Sequence, residues 1–277
     1  MAEMLKRVFR HYSDADYPSP NNSNNNNNSS SVDRGRNTPA HCAVLGEAGC
    51  GKTALLFLSA VIAASEFGVP VLFLSPSPIR TLPAPLQRAR AGVHLPSMKK
   101  IQFKYPRTAV DLLRDVASLH ESDKNLPSLI VIDGLDQYLH SAGDQQSLLA
   151  GRLCALLADT ASFVSQKLTS ARSDGGSGIA PQDCQVIISL SSEAGGESAA
   201  RNQALSVIER YFPARCLLER EPESGGTSWR VSFSGVQQSS CDLGTGWRLM
   251  YSRSGSMEFH VVPGEHSQTA GEFNDSS

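Results

Sequence analysis

One glycine-rich segment, set between a predicted strand and a predicted helix, constrains this chain more than any other feature. An apolar run over His41 to Leu45 precedes the segment, and a run with helical spacing from Thr53 to Phe67 follows it. Gly68 stands where a glycine commonly ends a helix. The segment matches the pattern G-x-x-x-x-G-K-T with Gly46, Glu47, Ala48, Gly49, Cys50, Gly51, Lys52 and Thr53.

This pattern is typical of a phosphate-binding loop, or P-loop. Glycines let such a loop curve so that its backbone N–H groups point inward, and the helix N-terminus adds the positive end of its dipole. In this arrangement Lys52 reaches the β- and γ-phosphates, and the Thr53 hydroxyl ligates Mg²⁺. We therefore predict that these residues bind ATP and Mg²⁺. The strand before and the helix after disfavour a simple glycine turn.

A second segment completes the predicted magnesium site. The apolar run from Ser128 ends in Asp133, as in the strand that lies beside the phosphates in P-loop enzymes. The terminal aspartate of that strand holds Mg²⁺ through its water shell. Thr53 and Asp133 are therefore the predicted metal-binding residues. Asp136 follows closely, and it is either a helix cap or a further ligand.

Alternating strands and helices predict an α/β fold with a mostly parallel sheet. Later in the chain, strand-like segments follow one another without helices between them, which predicts antiparallel strands at the C-terminal side. The further predicted strands are Val69–Leu74, Lys100–Tyr105, Ser128–Asp133, Gln185–Leu190, Arg215–Leu218, Trp229–Val236, Trp247–Tyr251 and Met257–Val262. The further predicted helices are Thr108–His120, Gln145–Leu168 and Ala199–Tyr211.

Composition divides the chain into three parts. Residues 19–31 are rich in asparagine and serine and have too little apolar surface to offset their ordering entropy. We therefore expect a disordered extension over 1–38 that contains this tether, one folded domain over 39–263, and a disordered tail over 264–277. No apolar run approaches the roughly 18 residues of a membrane span, so no membrane partner is expected. The scattered cysteines lack metal-site spacing and favour a reducing, intracellular compartment.

The net charge of −2 excludes a globally basic nucleic-acid binder, but a local basic stretch remains. Residues 67–110 hold seven lysines and arginines and no acid. Phe103 and Tyr105 interleave with them, as in surfaces that bind single-stranded DNA by stacking and charge. A solvated face with Phe103 in the core is an equally good interpretation. The DNA-binding candidates are Lys99, Lys100, Lys104 and Arg107.

Several segments resemble RecA-type recombinase paralogues, and among them the SWIM-type zinc finger-associated ATPases of the vertebrate Shu-type complex. The resemblance covers about 40–218. The segments that carry it are Gly49–Phe57, Val71–Leu74, Lys100–Pro106, Asp133–Leu135 and Tyr211–Cys216.

This resemblance implies a RecA-like P-loop core and a nuclear protein with DNA-stimulated ATPase activity. It further implies binding to single-stranded DNA and a complex with a SWIM-type zinc-finger protein. Such a complex would promote or stabilise filaments of a RecA-like recombinase, together with its paralogues, in homologous recombination repair.

Two departures from the family pattern bear on hydrolysis. RecA-like ATPases carry a water-activating glutamate just after the strand that follows the P-loop helix, whereas Val71–Leu74 runs into Ser75. Recombinases carry an amide after the later strand, where this chain has Ser189 to Ser192. We therefore expect ATP binding with weak, DNA-stimulated hydrolysis, and we assign no catalytic residue. A non-catalytic P-loop scaffold and a P-loop nucleotide kinase or transferase remain alternatives.

Overall fold

The computed structural model describes residues 2–13, 41–88, 95–122, 125–173, 183–192, 199–222, 228–235, 245–252 and 256–263. The helices are α1 (Ala2–Tyr12), α2 (Lys52–Ser65), α3 (Ala84–Arg88), α4 (Leu95–Met98), α5 (Ala109–Ala117), α6 (Leu135–Leu139), α7 (Gln146–Ser173) and α8 (Ala199–Tyr211). Two 3₁₀ helices cover Ser118–Glu121 and His140–Gln145. The strands are β1 (His41–Gly46), β2 (Val71–Leu74), β3 (Ile101–Lys104), β4 (Leu129–Ile132), β5 (Gln185–Ser191), β6 (Ala214–Arg220), β7 (Ser228–Ser234), β8 (Thr245–Tyr251) and β9 (Met257–Pro263).

All nine strands form one sheet, in the order β3-β2-β4-β5-β1-β6-β7-β8-β9. The six strands from β3 to β6 pair in parallel, and β6 to β9 pair antiparallel. Val44 of β1 lies opposite Ser189 of β5 on one side and Cys216 of β6 on the other. The predicted α/β class, with antiparallel strands at the C-terminal side, is therefore confirmed.

Helices cover both faces of the parallel strands, which explains their uninterrupted apolar runs. On one face α2 packs with the side chains of Val44 and Val131, and on the other α5 to α8 pack with those of Ala43 and Ile132. Successive residues of each strand thus enter different core clusters, because strand side chains alternate between the two faces. Every parallel strand ends at the same edge of the sheet, where the loops meet.

The structure differs from the sequence-based expectation at the N-terminus, because α1 packs on the folded unit. Its side chains Leu5, Val8 and Phe9 have no exposed surface. The Phe9 ring lies edge-on to Trp247 and Phe259, with ring centroids 5.7 Å and 5.1 Å away. Spacing of these apolar residues by three and four is the helical pattern that favours docking. The asparagine-rich tract lies outside the described residues.

The segment between β2 and β3 contains two short helices in its described part, α3 and α4. Leu86 of α3 is buried in the core cluster that contains α2. Prolines at positions 83 and 85 are compatible with a helix start, because the first helical turn leaves its N–H groups unpaired.

A long apolar helical segment runs through the structure. By length and composition alone, the segment Leu135–Ser170 could cross a membrane. Within it, however, the α7 side chains Leu153, Leu157 and Val164 are buried in the same core cluster as Ile188 of β5. Packing against the sheet therefore accounts for these buried apolar side chains of α7. The expectation of no membrane partner stays a prediction.

The cysteines of the described residues act as small core residues. All five are free and buried: Cys42, Cys50, Cys154, Cys184 and Cys216. Burial raises the pKa of the Cys42 thiol to about 12, so it carries little of the reactive thiolate at neutral pH.

Docking of α1 leads to a stability prediction. Phe9→Ala removes a fully buried ring from the contacts with Trp247 and Phe259 and should lower the free energy of unfolding by about 3 kcal/mol. Urea denaturation followed by circular dichroism measures this change. Val110→Ala is the control, because Val110 is 63% exposed. Equal unfolding midpoints for the two variants would contradict the docking of α1.

Candidate nucleotide-binding site

The glycine-rich segment forms the loop between β1 and α2, at the sheet edge where the parallel strands end. Gly49 and Gly51 have φ angles of +78° and +94°, a region that residues with a Cβ rarely adopt. Space is short as well, because a Cβ on Gly51 would lie 2.5 Å from the Met257 Cε atom. The loop therefore needs glycine at position 51 for its backbone angle, and the Met257 methyl of β9 would have to shift to admit a Cβ.

Lys52 is the first residue of α2 and lies with its ammonium inside the loop. Its side chain is buried, and Nζ donates to the carbonyl oxygens of Gly46 at 2.8 Å and Glu47 at 2.6 Å. These hydrogen bonds hold the Lys52 ammonium inside the loop. A phosphate oxygen would be a stronger acceptor than either carbonyl oxygen, because it is negatively charged. The Glu47 carboxylate itself pairs with Arg220 of β6 at 2.8 Å, which links the loop to the adjacent strand.

Thr53 and Asp133 meet in space although they are 80 positions apart. The Thr53 Oγ1 hydroxyl donates to Asp133 Oδ2 at 2.7 Å. Thr53 lies in the first turn of α2, and Asp133 directly follows β4, so both stand at the carboxyl edge of the sheet. The Asp133 side chain is buried, and this burial raises the pKa of its carboxyl. Hydrogen bonds from Thr53 and Ser189 offset part of that increase.

The donor set of this pair fits a hard divalent cation. A carboxylate and a hydroxyl are the oxygen ligands that Mg²⁺ accepts, and Mg²⁺ usually takes only one or two protein ligands beside phosphates and water. Across the described residues, no group of three or more His, Cys, Asp or Glu side chains forms a metal cage. Thr53 and Asp133 could therefore hold Mg²⁺ together with a nucleotide, and that role stays a prediction.

The structure adds Ser189 to the site, a residue that sequence reasoning did not select. Its Oγ hydroxyl donates to Asp133 Oδ1 at 2.8 Å and accepts from the backbone N–H of Gly134 at 2.8 Å. Ile188 pairs with Ile132 across β5 and β4, so the next residues on each strand lie side by side. The polar residue that interrupts the apolar run of β5 was the available sequence signal.

Asp136 lies at the start of α6 but does not cap that helix. Gly134, with a φ angle of +71°, is the N-cap of α6, and Asp136 lies in the first turn of that helix. The Asp136 Oδ1 atom accepts a hydrogen bond from the backbone N–H of Ser191 at 3.1 Å. It therefore links the end of β5 to the turn after β4. The cap prediction was wrong, and the metal-ligand alternative stays a prediction.

The residue after β2 confirms the departure from the family pattern at this position. Ser75 is buried, and its hydroxyl donates to the Ser77 carbonyl at 2.9 Å. A hydroxyl of this kind is a poor base at neutral pH. Glu193, the acid closest to the end of β5 in sequence, lies outside the described residues.

The four DNA-binding candidates occupy two places. Lys99 and Lys100 precede β3, whereas Lys104 and Arg107 lie at its carboxyl end, about 10 Å along the strand. Lys100 Nζ donates to the Gly68 carbonyl at 2.9 Å, and Lys104 pairs with Asp115 at 2.9 Å. The structure thus places only Lys104 and Arg107 on the edge that holds the P-loop.

The two aromatic residues of the basic stretch also separate. The Phe103 ring is partly buried and packs against Phe73 and Phe57, with ring centroids 5.5 Å and 5.8 Å away. Tyr105 is 40% exposed. It helps to line an open groove of about 540 Å³, whose charged lining residues are Lys104, Arg107 and Arg114 together with Asp111 and Asp115. Phe103 lines the same groove but is partly buried, so Tyr105 is the more accessible of the two rings.

Comparison with known proteins gives two close relatives. The chain is 36% identical over 210 residues to ATPase SWSAP1 of Homo sapiens, an alignment that covers 69% of this chain and 83% of the human protein. It is 33% identical over 239 residues to ATPase SWSAP1 of Mus musculus, which covers 84% of this chain and 78% of the mouse protein. No protein-family model matches the chain.

One solved structure bears on the fold. A KaiC-like protein from the hyperthermophilic archaeon Pyrococcus horikoshii OT3 matches with a TM-score of 0.50 and 15% identity. The match covers 82% of this chain and 90% of the archaeal chain. At this identity the comparison concerns the fold alone, and it confirms the predicted RecA-like class.

The burial of Asp133 leads to a second stability prediction. A carboxyl with a raised folded-state pKa contributes stability below its unfolded-state pKa and loses that contribution as the pH rises through the folded-state pKa. Without nucleotide, Asp133→Asn should therefore raise the thermal unfolding midpoint at pH 7. The difference from the parent protein should shrink as the pH is lowered.

Asp111→Asn is the control with the opposite sign. A hydrogen bond from Thr108 leads the causes that lower the pKa of the exposed Asp111 carboxyl, so its neutral replacement should not stabilise the protein at pH 7. Differential scanning fluorimetry across pH compares the two variants. Destabilisation by Asp133→Asn at pH 7 would contradict the prediction.

Proposed function

This chain belongs to the ATPase SWSAP1 family, and on that premise we propose that it binds ATP with Mg²⁺ and single-stranded DNA as an accessory factor in homologous recombination. The observation that carries the nucleotide part is the 2.7 Å hydrogen bond between Thr53 and Asp133. It joins the P-loop helix to the aspartate after β4, so both parts of the expected magnesium site occupy one place.

The residues of the loop have separate tasks in this proposal. Backbone N–H groups at the start of α2 bind phosphate oxygens, since they lack partners within the helix. When ATP binds, the Lys52 ammonium donates to the β- and γ-phosphates instead of to the Gly46 and Glu47 carbonyls. Thr53 and Asp133 hold Mg²⁺, which supplies positive charge against the phosphate oxygens when bound.

Slow turnover follows from the residues around the γ-phosphate position. Proton abstraction from water needs a group that is basic at working pH. In the part of the chain that the structure describes, the ends of β2 and β5 carry Ser75 and Ser189, whose hydroxyls already donate within the protein. We therefore propose a weak ATPase whose rate rises when single-stranded DNA binds.

Substitution of Lys52 tests the nucleotide site. Lys52→Ala removes a charged donor at the phosphates, and loss of such hydrogen bonds at about 1.5–3 kcal/mol corresponds to roughly 10- to 100-fold weaker ATP binding. Isothermal titration calorimetry gives the affinity, and phosphate release gives the rate with and without single-stranded DNA.

Lys100→Ala is the matched control for the measurement of ATP affinity. Its ammonium also donates to a backbone carbonyl, that of Gly68 at 2.9 Å, but at the opposite edge of the sheet. Unchanged ATP affinity in Lys52→Ala would contradict the nucleotide site. DNA binding that is intact in Lys52→Ala, with no ATPase activity in the parent protein, would favour a non-catalytic scaffold.

Exposed charge near β3 supports the DNA part of the proposal. Arg107 and Tyr105 line the groove at the P-loop edge, and Lys99 is exposed at the other end of β3. A single strand of DNA that lay along β3 would place its phosphates near Lys99 and Arg107 and a base near Tyr105. Lys104, which is paired with Asp115, contributes less free charge.

Salt dependence tests this surface. Each phosphate contact to a single strand contributes about 0.7 to the slope of log K against log salt. Lys99→Glu combined with Arg107→Glu should therefore reduce the slope by about 1.4 and weaken binding. Arg152→Glu on the exposed face of α7 is the control for overall charge. Equal slopes in the two variants would exclude the β3 surface.

Partners and location follow from the family resemblance. We propose a nuclear complex with a SWIM-type zinc-finger protein that promotes or stabilises filaments of a RecA-like recombinase and its paralogues. Co-purification of the tagged full chain from nuclear extract tests this assignment. Absence of a SWIM-type protein from the purified material would contradict it.

A further inference from the structure

A buried hydroxyl at the end of β5 contacts both the side chain and the main chain of the turn after β4. Ser189 has no exposed surface. Its Oγ donates to Asp133 Oδ1 at 2.8 Å and accepts from the Gly134 N–H at 2.8 Å. A hydroxyl that donates in one direction and accepts from another has a fixed rotamer, since its hydrogen must point at the carboxylate.

The Asp133 carboxylate is thereby held from two sides. Oδ1 accepts from Ser189 on β5, and Oδ2 accepts from Thr53 on α2. The Asp133 backbone N–H donates to the Leu74 carbonyl at 2.8 Å, which holds the main chain through β2. Three different elements therefore determine where this carboxylate points.

Without the Ser189 hydroxyl, one of these constraints is lost. Oδ1 then has no partner in the sheet interior, and the Gly134 N–H loses its acceptor. The hydrogen bond from Thr53 alone cannot fix the plane of the Asp133 carboxylate, because the carboxylate can still rotate about the Asp133 Cβ–Cγ bond. Thr53 is also the residue whose hydroxyl a cation needs, whereas Ser189 approaches from the buried side.

We propose that Ser189 is a positioning residue that orients the Asp133 carboxylate toward the magnesium ion of a bound nucleotide. The inference rests on the proposed ATP and Mg²⁺ binding, and it assigns Ser189 no contact with substrate or metal. Partners that orient a metal-binding group commonly change metal affinity by about 10- to 100-fold when removed.

The test compares nucleotide affinity with and without Mg²⁺ in the full chain. Ser189→Ala should reduce the Mg²⁺-dependent gain in ATP affinity by about tenfold, the lower end of that range. Affinity in the presence of a chelator should stay unchanged, because the P-loop contacts do not involve Ser189. Ser189→Thr keeps the hydroxyl and should restore most of the gain.

Ser59→Ala is the matched control. Ser59 is also fully buried, but its hydroxyl donates to the Leu55 carbonyl of its own helix at 2.8 Å. Loss of a buried hydroxyl as such would therefore appear in both alanine variants. Equal affinity changes with and without Mg²⁺, or equal effects of Ser189→Ala and Ser59→Ala, would overturn the inference.

A second variant covers the case in which Ser189→Ala does not fold. Ser189→Cys has a similar volume and a weaker donor, so a partial loss of the Mg²⁺-dependent gain is expected. A full gain in Ser189→Cys, with the alanine variant unfolded, would overturn the positioning role. If the parent protein binds ATP with the same affinity with and without Mg²⁺, both the proposed magnesium site and this inference are overturned.

Discussion

The position of β1 between β5 and β6, in parallel with both, is the constraint on which the rest of this structure depends. Parallel strands need crossover connections, so helices lie on both faces and bury the apolar runs of the strands. The same direction of all six strands brings their carboxyl ends to one edge. Lys52, Asp133 and Ser189 come from separate parts of the chain and meet there for this reason.

Burial of the Asp133 carboxyl in the candidate nucleotide site destabilises its ionised form. Asp133 is buried with a raised pKa, and its direct partners are the neutral hydroxyls of Thr53 and Ser189. Lys52 places a positive charge nearby while its own hydrogen bonds go to carbonyls of the loop. In the proposed function, a bound cation would offset the cost of ionising this buried carboxyl and would stabilise the folded state.

Charge along the sequence and charge in space are different quantities here. Seven positive residues cluster within 67–110, but Lys99 and Lys100 lie at one edge of the sheet, and Lys104 and Arg107 lie at the other. The ion pair of Lys104 with Asp115 shows that an acid outside this stretch neutralises part of it. Neither the net charge of −2 nor the local excess of positive residues along the sequence defines a DNA-binding surface.

The sequence by itself determined the glycine loop, the aspartate after β4 and the alternation of strands and helices, because each depends on neighbours within a few residues. Only the tertiary structure decided the docking of α1 on β8 and β9, the contact of Met257 with Gly51, and the hydrogen bond from Ser189 to Asp133. These contacts join positions far apart in the chain, and they exist because the sheet order places their strands together. No local pattern specifies that order, since it is set by how all the apolar faces are buried at once.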